Sequence, residues 1–154
     1  MKGSKILLKG DLERMIEGVI SGTPKPGTIM QLQASTAEVG GRLTYEVYNP
    51  SAVTDPRQVL VLLEDSLQGK LYSDAYVSGT RGFLYPVRAG DELNMLTKDV
   101  SGTGDTHTIG DRLAGDPGTG KLVVVGTSAN RAQFQAIETV AAPTADIWLA
   151  CIAT

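Results

Sequence analysis

The chain has 154 residues, 20% of them charged, with 14 Lys and Arg against 17 Asp and Glu and a formal net charge of −3. At this length one domain is the prior, able to bury about 70% of its unfolded surface without a disulfide or metal. The acidic balance, the scattered basic residues and the 5% aromatic content exclude a counterion-displacing nucleic-acid face and a base-stacking platform.

In chain order, residues 1–27 read as an N-terminal arm and linker. Lys2, Lys5 and Lys9 read as a solvated stretch rather than a nucleic-acid patch. Ile6-Leu7-Leu8 is a short apolar run, too short for the apolar region of a signal peptide. Leu12, Met15, Ile16 and Val19 fit one face of a short helix with Asp11 as its N-cap. Gly18 interrupts that pattern, and Val19-Ile20 reads equally as strand. Thr23-Pro24-Lys25-Pro26-Gly27 reads as an extended linker or turn, because two prolines fix φ and remove donors.

From Thr28 onward the pattern is β. Ile29 to Gln33 is a short strand, and Leu43 to Tyr48 alternates with Leu43, Tyr45 and Val47 on one face. Val59 to Leu63 is apolar throughout, so both of its faces should be covered. Gln68-Gly69-Lys70 turns the chain. Phe83 to Val87 contains Pro86, which marks an edge or a strand end. Leu93 to Leu96, Arg112 to Ala114, Lys121 to Val125, Phe134 to Val140 and Ile147 to Ile152 follow. Glycine is 18 of 154 residues, against a usual share of ~7%, and turn signals recur between the strands. The expected fold is all-β: a sandwich or barrel of about eight to ten short strands over 28–154. The turns Gly90-Asp91-Glu92-Leu93 and Gly110-Asp111-Arg112-Leu113 share G-D-x-L, which predicts two similar strand starts.

The candidate chemistry is thin. Gly115 to Lys121 matches the first seven positions of a phosphate-binding loop. Leu122 stands where Ser or Thr is needed, and a strand follows where a helix is required. His107, with Asp99, Asp105 and Asp111, lacks the ligand set of a Zn or Ca site. Glu64-Asp65 and Asp91-Glu92 are adjacent pairs, which on a strand point to opposite faces. Gly126-Thr-Ser128-Ala-Asn130 lacks the final glycine of a nucleophile elbow. Cys151, the one cysteine, sits in an apolar stretch and reads as a buried thiol. No run approaches the ~20 apolar residues of a membrane span. No enzyme activity, cofactor or metal is expected, and the chain reads as soluble and made in a reducing cytosol.

Five blocks remain: Leu62–Lys70 (L-L-E-D-S-L-Q-G-K), Asp74–Tyr76 (D-A-Y), Gly90–Leu96 (G-D-E-L-N-M-L), Ile109–Leu113 (I-G-D-R-L) and Ile147–Ile152 (I-W-L-A-C-I). In this order they resemble the capsid decoration (cement, head-stabilising) proteins of tailed double-stranded DNA phages. The resemblance covers 28–154 loosely and 59–96 more closely, and the segment Gly40 to Arg57 is longer than the family leads one to expect. It implies a β-barrel or β-tulip body with an extended N-terminal arm. It further implies a homotrimer on the outside of the expanded capsid, tying neighbouring major capsid subunits together in the virion, with no nucleic acid or membrane as partner. The protein would be made in the host cytoplasm. The candidate contacts to capsid or neighbouring protomer are then Ile6, Leu7, Leu8, Leu12, Met15, Ile16, Pro24 and Pro26. Deleting residues 1–27 should weaken capsid binding and leave the body folded. Two other classes stand beside this reading. One is a stand-alone small-ligand-binding barrel or accessory subunit, which needs a concave apolar pocket. The other is a carboxylate enzyme, which needs two acids converging on a cleft.

Overall fold

The fold is built from strands that each bury a different face on alternate residues. A computed structural model describes residues 5–34, 40–49, 58–97, 106–125, 133–141 and 146–154. Among these residues lie eleven strands and two three-residue 3-10 turns. The strands are β1 (Leu7–Lys9), β2 (Ile16–Ile20), β3 (Ile29–Leu32), β4 (Thr44–Val47), β5 (Leu60–Leu62), β6 (Thr80–Pro86), β7 (Glu92–Thr97), β8 (Arg112–Gly115), β9 (Leu122–Val124), β10 (Phe134–Ala136) and β11 (Ile147–Ala153).

Five strands close into a barrel in the order β2-β4-β3-β5-β6, and β6 returns to β2. The other six form a sheet in the order β1-β7-β11-β10-β8-β9. A parallel contact of β9 with β7 at Leu122 and Thr97 closes five of those six into a second ring. The fold is therefore all-β, as the turn-rich pattern predicts, and of the sandwich and the barrel which that pattern leaves open it is the barrel.

Period-2 alternation sorts the side chains between two cores. Ile20, Met30, Tyr45, Leu62 and Leu84, one from each strand, fill the first barrel, with Tyr76 packed on them. Their neighbours Ile29, Val61, Phe83 and Tyr85 point the other way, into a larger core with Leu93, Met95, Leu113, Phe134 and Leu149. The apolar run Val59–Leu63 thus has both faces covered: Val61 serves one core and Leu62 the other, and each is fully buried. Burying each such side chain stabilises the fold by about 1.5–3 kcal/mol. Pro86 is the last residue of β6, where its missing N–H costs least.

The two G-D-x-L turns are built alike. Gly90 and Gly110 have φ of 90° and 95°, the third position of a type II turn, which favours glycine. The Asp91 carboxylate accepts the Arg88 N–H at 2.8 Å, and that of Asp111 accepts the Thr108 N–H at 2.7 Å. Leu93 and Leu113 then enter the larger core, each with no exposure.

The expected N-terminal arm is corrected for its described residues, 5–27. Ile6 is fully buried. β1 pairs with β7, and β2 is a barrel stave between β6 and β4. Both alternatives for this stretch are realised in part. Asp11 caps a 3-10 turn, Leu12–Arg14, and the chain becomes strand from Ile16. The body therefore does not begin at residue 28, and a chain lacking 1–27 loses a stave and should not fold.

Candidate interaction surface

The eight candidate contact residues divide into two groups. Ile6 lies in the larger core, and its N–H is donated to Glu64 Oε2 at 3.1 Å. Ile16 packs against the barrel core. Pro24 and Pro26 are buried, their carbonyls accepting the Tyr76 N–H at 2.9 Å and the Trp148 indole N–H at 2.8 Å. Leu8 is half-buried on β1. None of these five lines the surface groove described next, and the burial of Ile6, Pro24 and Pro26 corrects their reading as arm contacts.

Leu7, Leu12 and Met15 do come together. With Leu63, Leu67 and Phe83 they line a groove of about 240 Å³, edged by Lys5, Glu64 and Ser66. Leu12 is 58% exposed and Leu67 74%. Exposed leucines clustered around a concavity are the kind of patch that marks a contact site. β1 runs beside this groove as the terminal strand of its sheet. It pairs with β7 on one side, and no described strand pairs with its other side.

Both 3-10 turns are fixed so that they present these side chains outward. In the first, Asp11 Oδ1 accepts the Glu13 N–H at 3.0 Å. Arg14 reaches back into the body, where its Nη2 donates to both oxygens of Asp91 at 3.1 Å and to the Tyr85 hydroxyl. Its guanidinium lies 4.8 Å from the Tyr85 ring centroid. The Tyr85 hydroxyl in turn donates to Asp91 at 3.0 Å and accepts the Asp11 N–H at 3.0 Å. Burial, foremost, pushes the Tyr85 phenol up, so it stays a neutral donor. In the second turn, Ser66–Gln68, Asp65 accepts the Gln68 N–H, and Gly69 closes the turn in the left-handed region. Leu67, Leu71 and Val77 protrude from this segment, each more than 60% exposed. Sequence reading missed them because leucines in a turn carry no periodicity. Their signal is compositional: large apolar residues spaced along a polar connection.

Several of the remaining candidates make contacts within the chain. Glu64 holds Ile6, Asp91 holds Arg14, and Glu92 lies 3.9 Å from Lys9. The phosphate-loop look-alike is the hairpin joining β8 to β9, with Gly115 opposite Leu122. Its Gly118 N–H is spent on the Tyr48 carbonyl. His107 is buried, its backbone bridging Val140, while Asp99, Asp105 and Gly126 to Asn130 lie outside the described residues. No group of three or more potential metal ligands occurs among the described residues. Cys151 is fully buried, and burial pushes its thiol up. No helix among the described residues is long and apolar enough to cross a membrane. No protein-family model matches the chain, and no curated protein matches it.

Proposed function

We propose that this chain is a structural virion protein that decorates the outside of an expanded phage capsid as a trimer and ties neighbouring major capsid subunits together. The observation that carries the reading is the apolar groove of Leu7, Leu12, Met15 and Leu67 beside the edge of β1 that no described strand pairs. A strand edge offers main-chain hydrogen bonds to an extended segment of a neighbour, and an adjacent groove accepts its alternate side chains. Each contact of this kind is weak, and three copies on one trimer raise the avidity without a strong single site.

The blocks that resemble decoration proteins fall on well-defined elements. Leu62–Lys70 runs from β5 through the Asp65-capped turn, Gly90–Leu96 is a type II turn with β7, and Ile147–Ile152 lies in β11. The rival reading, a small-ligand barrel, needs a concave apolar pocket, and the interior of a barrel is the usual place for one. The interior of the first barrel is occupied by Ile20, Met30, Tyr45, Leu62 and Leu84, which favours the decoration role.

Two measurements test the proposal. Light scattering on the purified chain should give a mass near three times 16.2 kDa. Cosedimentation with expanded capsids stripped of decoration should then show saturable binding. Leu12→Asp and Leu67→Asp should leave stability within about 0.5 kcal/mol, as for other surface changes, and abolish binding. Unaltered capsid binding by both variants would reject the groove as the contact. A failure of the unmodified chain to bind any such shell would reject the function.

A further inference from the structure

A second cleft, also of about 240 Å³, lies between the loop following the second 3-10 turn and the start of β6. It shares no lining residue with the groove. It falls below the ~300–1,000 Å³ of sites that enclose a small molecule, so a single side chain is the natural occupant. Its wall contains Asp65, only 2% exposed. One Asp65 oxygen accepts the Gln68 N–H at 3.3 Å, and no cation among the described residues forms an ion pair with it. A carboxylate this buried and unanswered by charge is costly.

The other walls suit an alkyl cation. Tyr76 is 8% exposed, and its ring is held by the hydroxyl donating to the Leu63 carbonyl at 2.9 Å. Burial, and then the charge of Asp65, push its phenol up, and the charge of Arg81 opposes them. Pro26, Ala75 and Val77 add apolar surface, and Asp74 adds a second carboxylate. The two cations of the lining satisfy neither acid. Arg81 is drawn to Glu17 at 3.9 Å and lies 5.3 Å from the Phe83 ring centroid. Lys70 is exposed and makes no ion pair among the described residues.

We propose that this cleft is a socket for one lysine or arginine side chain presented by a protein partner. Charge complementarity selects the occupant: the cationic head meets Asp65, and the alkyl stem lies along Tyr76 and Val77. The inference stands apart from the capsid reading, because its test uses this chain alone.

The full chain, labelled with nitrogen-15, is titrated with N-acetyl-lysine methylamide and N-acetyl-arginine methylamide. The norleucine and glutamate analogues serve as controls. Ala75, Tyr76 and Val77 amides should show saturable shifts with the two basic probes and none with the controls. Asp65→Asn keeps an oxygen to accept the Gln68 N–H and removes the charge. It should weaken binding about tenfold or more, the worth of a charged hydrogen bond. Lys70→Gln removes from the wall a charge of the same sign as the probe and should tighten it. Shifts with norleucine equal to those with lysine, or undiminished binding by a folded Asp65→Asn, would overturn the socket. So would the absence of saturable shifts at about 100 mM probe, far beyond even a weak ~1 mM site.

Discussion

Replacing Asp91 with alanine tests whether the first 3-10 turn is built into the body or only rests on it. The Asp91 carboxylate accepts from Arg14 at 3.1 Å, from the Tyr85 hydroxyl at 3.0 Å and from the Arg88 N–H at 2.8 Å. The side chains of Arg14 and Asp91 are 15% and 11% exposed, so solvent screens the pair only slightly. Removing one partner of such a pair leaves the other charge buried and alone, at about 3–5 kcal/mol. The residual exposure points to the lower end, about 3 kcal/mol. Against a total stability of about 5–15 kcal/mol, that is a large share. At roughly 2–4 °C per kcal/mol for a chain of this size, the melting temperature should fall by about 6–12 °C. Urea unfolding read by the emission of Trp148, the one tryptophan, measures the change. Arg14→Met and the double variant complete a cycle, which should show strong coupling. A loss under about 1 kcal/mol would mean that the pair behaves as an exposed one, and the argument that it locks Leu12 and Met15 in place would fail.

Three further outcomes follow from the packing and the charges. Asp146 receives Lys121 and Lys25. Burial pushes its carboxyl up, but the hydrogen bonds and charges of the two lysines outweigh it and hold the group below the ordinary 3.8. A lowered folded value contributes stability that is present above the ordinary value and lost as pH falls below it. The stability gap between the unmodified chain and Asp146→Asn should therefore be constant near neutrality and narrow below about pH 4, and a gap independent of pH would reject the pair as its source. Gly82→Ala places a methyl against the Ile20 side chain inside the first barrel and should cost about 1–3 kcal/mol in urea unfolding, whereas a neutral result would mean that the barrel has slack. Cys151 should resist alkylation in the folded chain and react in step with unfolding; rapid labelling under native conditions would contradict its burial.

The strands after Thr28 were legible because each obeys period 2 or is apolar throughout, and each is fenced by Gly, Pro or Asn. The two earlier strands were less so, for different reasons. β1 is three residues long, too short to show alternation. β2 was half legible: Leu12, Met15, Ile16 and Val19 fit a helix face, while Gly18 interrupts it and leaves Val19-Ile20 equally a strand. In the barrel, Gly18 lies directly opposite Gly82 on β6. A methyl on the first would strike the Tyr45 ring, and one on the second would strike Ile20. A five-stranded ring leaves little interior, and the two glycines make room for Tyr45 and Ile20 to fill it. The residue that interrupts the helix pattern in the sequence is one that the closed barrel requires. The groove was half legible. Leu7, Leu12 and Met15 were marked by apolar character near a cap, while Leu67 needed the fold to bring its turn alongside them.

Of the two readings of Thr23–Gly27, the turn is realised at Pro26-Gly27 and the solvated linker is not. Two prolines do prevent a ladder, so the chain is irregular there, as expected. A linker would be solvated, yet Pro24, Pro26 and Gly27 are buried. Burying irregular backbone is costly when donors go unanswered, and proline has no donor to leave unanswered. What remains are carbonyls, and those of Pro24 and Pro26 are taken by Tyr76 and Trp148. Gly27, at φ +87°, donates to the Leu62 carbonyl of β5 and accepts the Leu96 N–H of β7. One residue thereby bonds a strand of the first barrel to a strand of the second ring. The proline-rich stretch is the seam between the two, and the lack of donors that reads as a linker in the sequence is what allows it to lie inside.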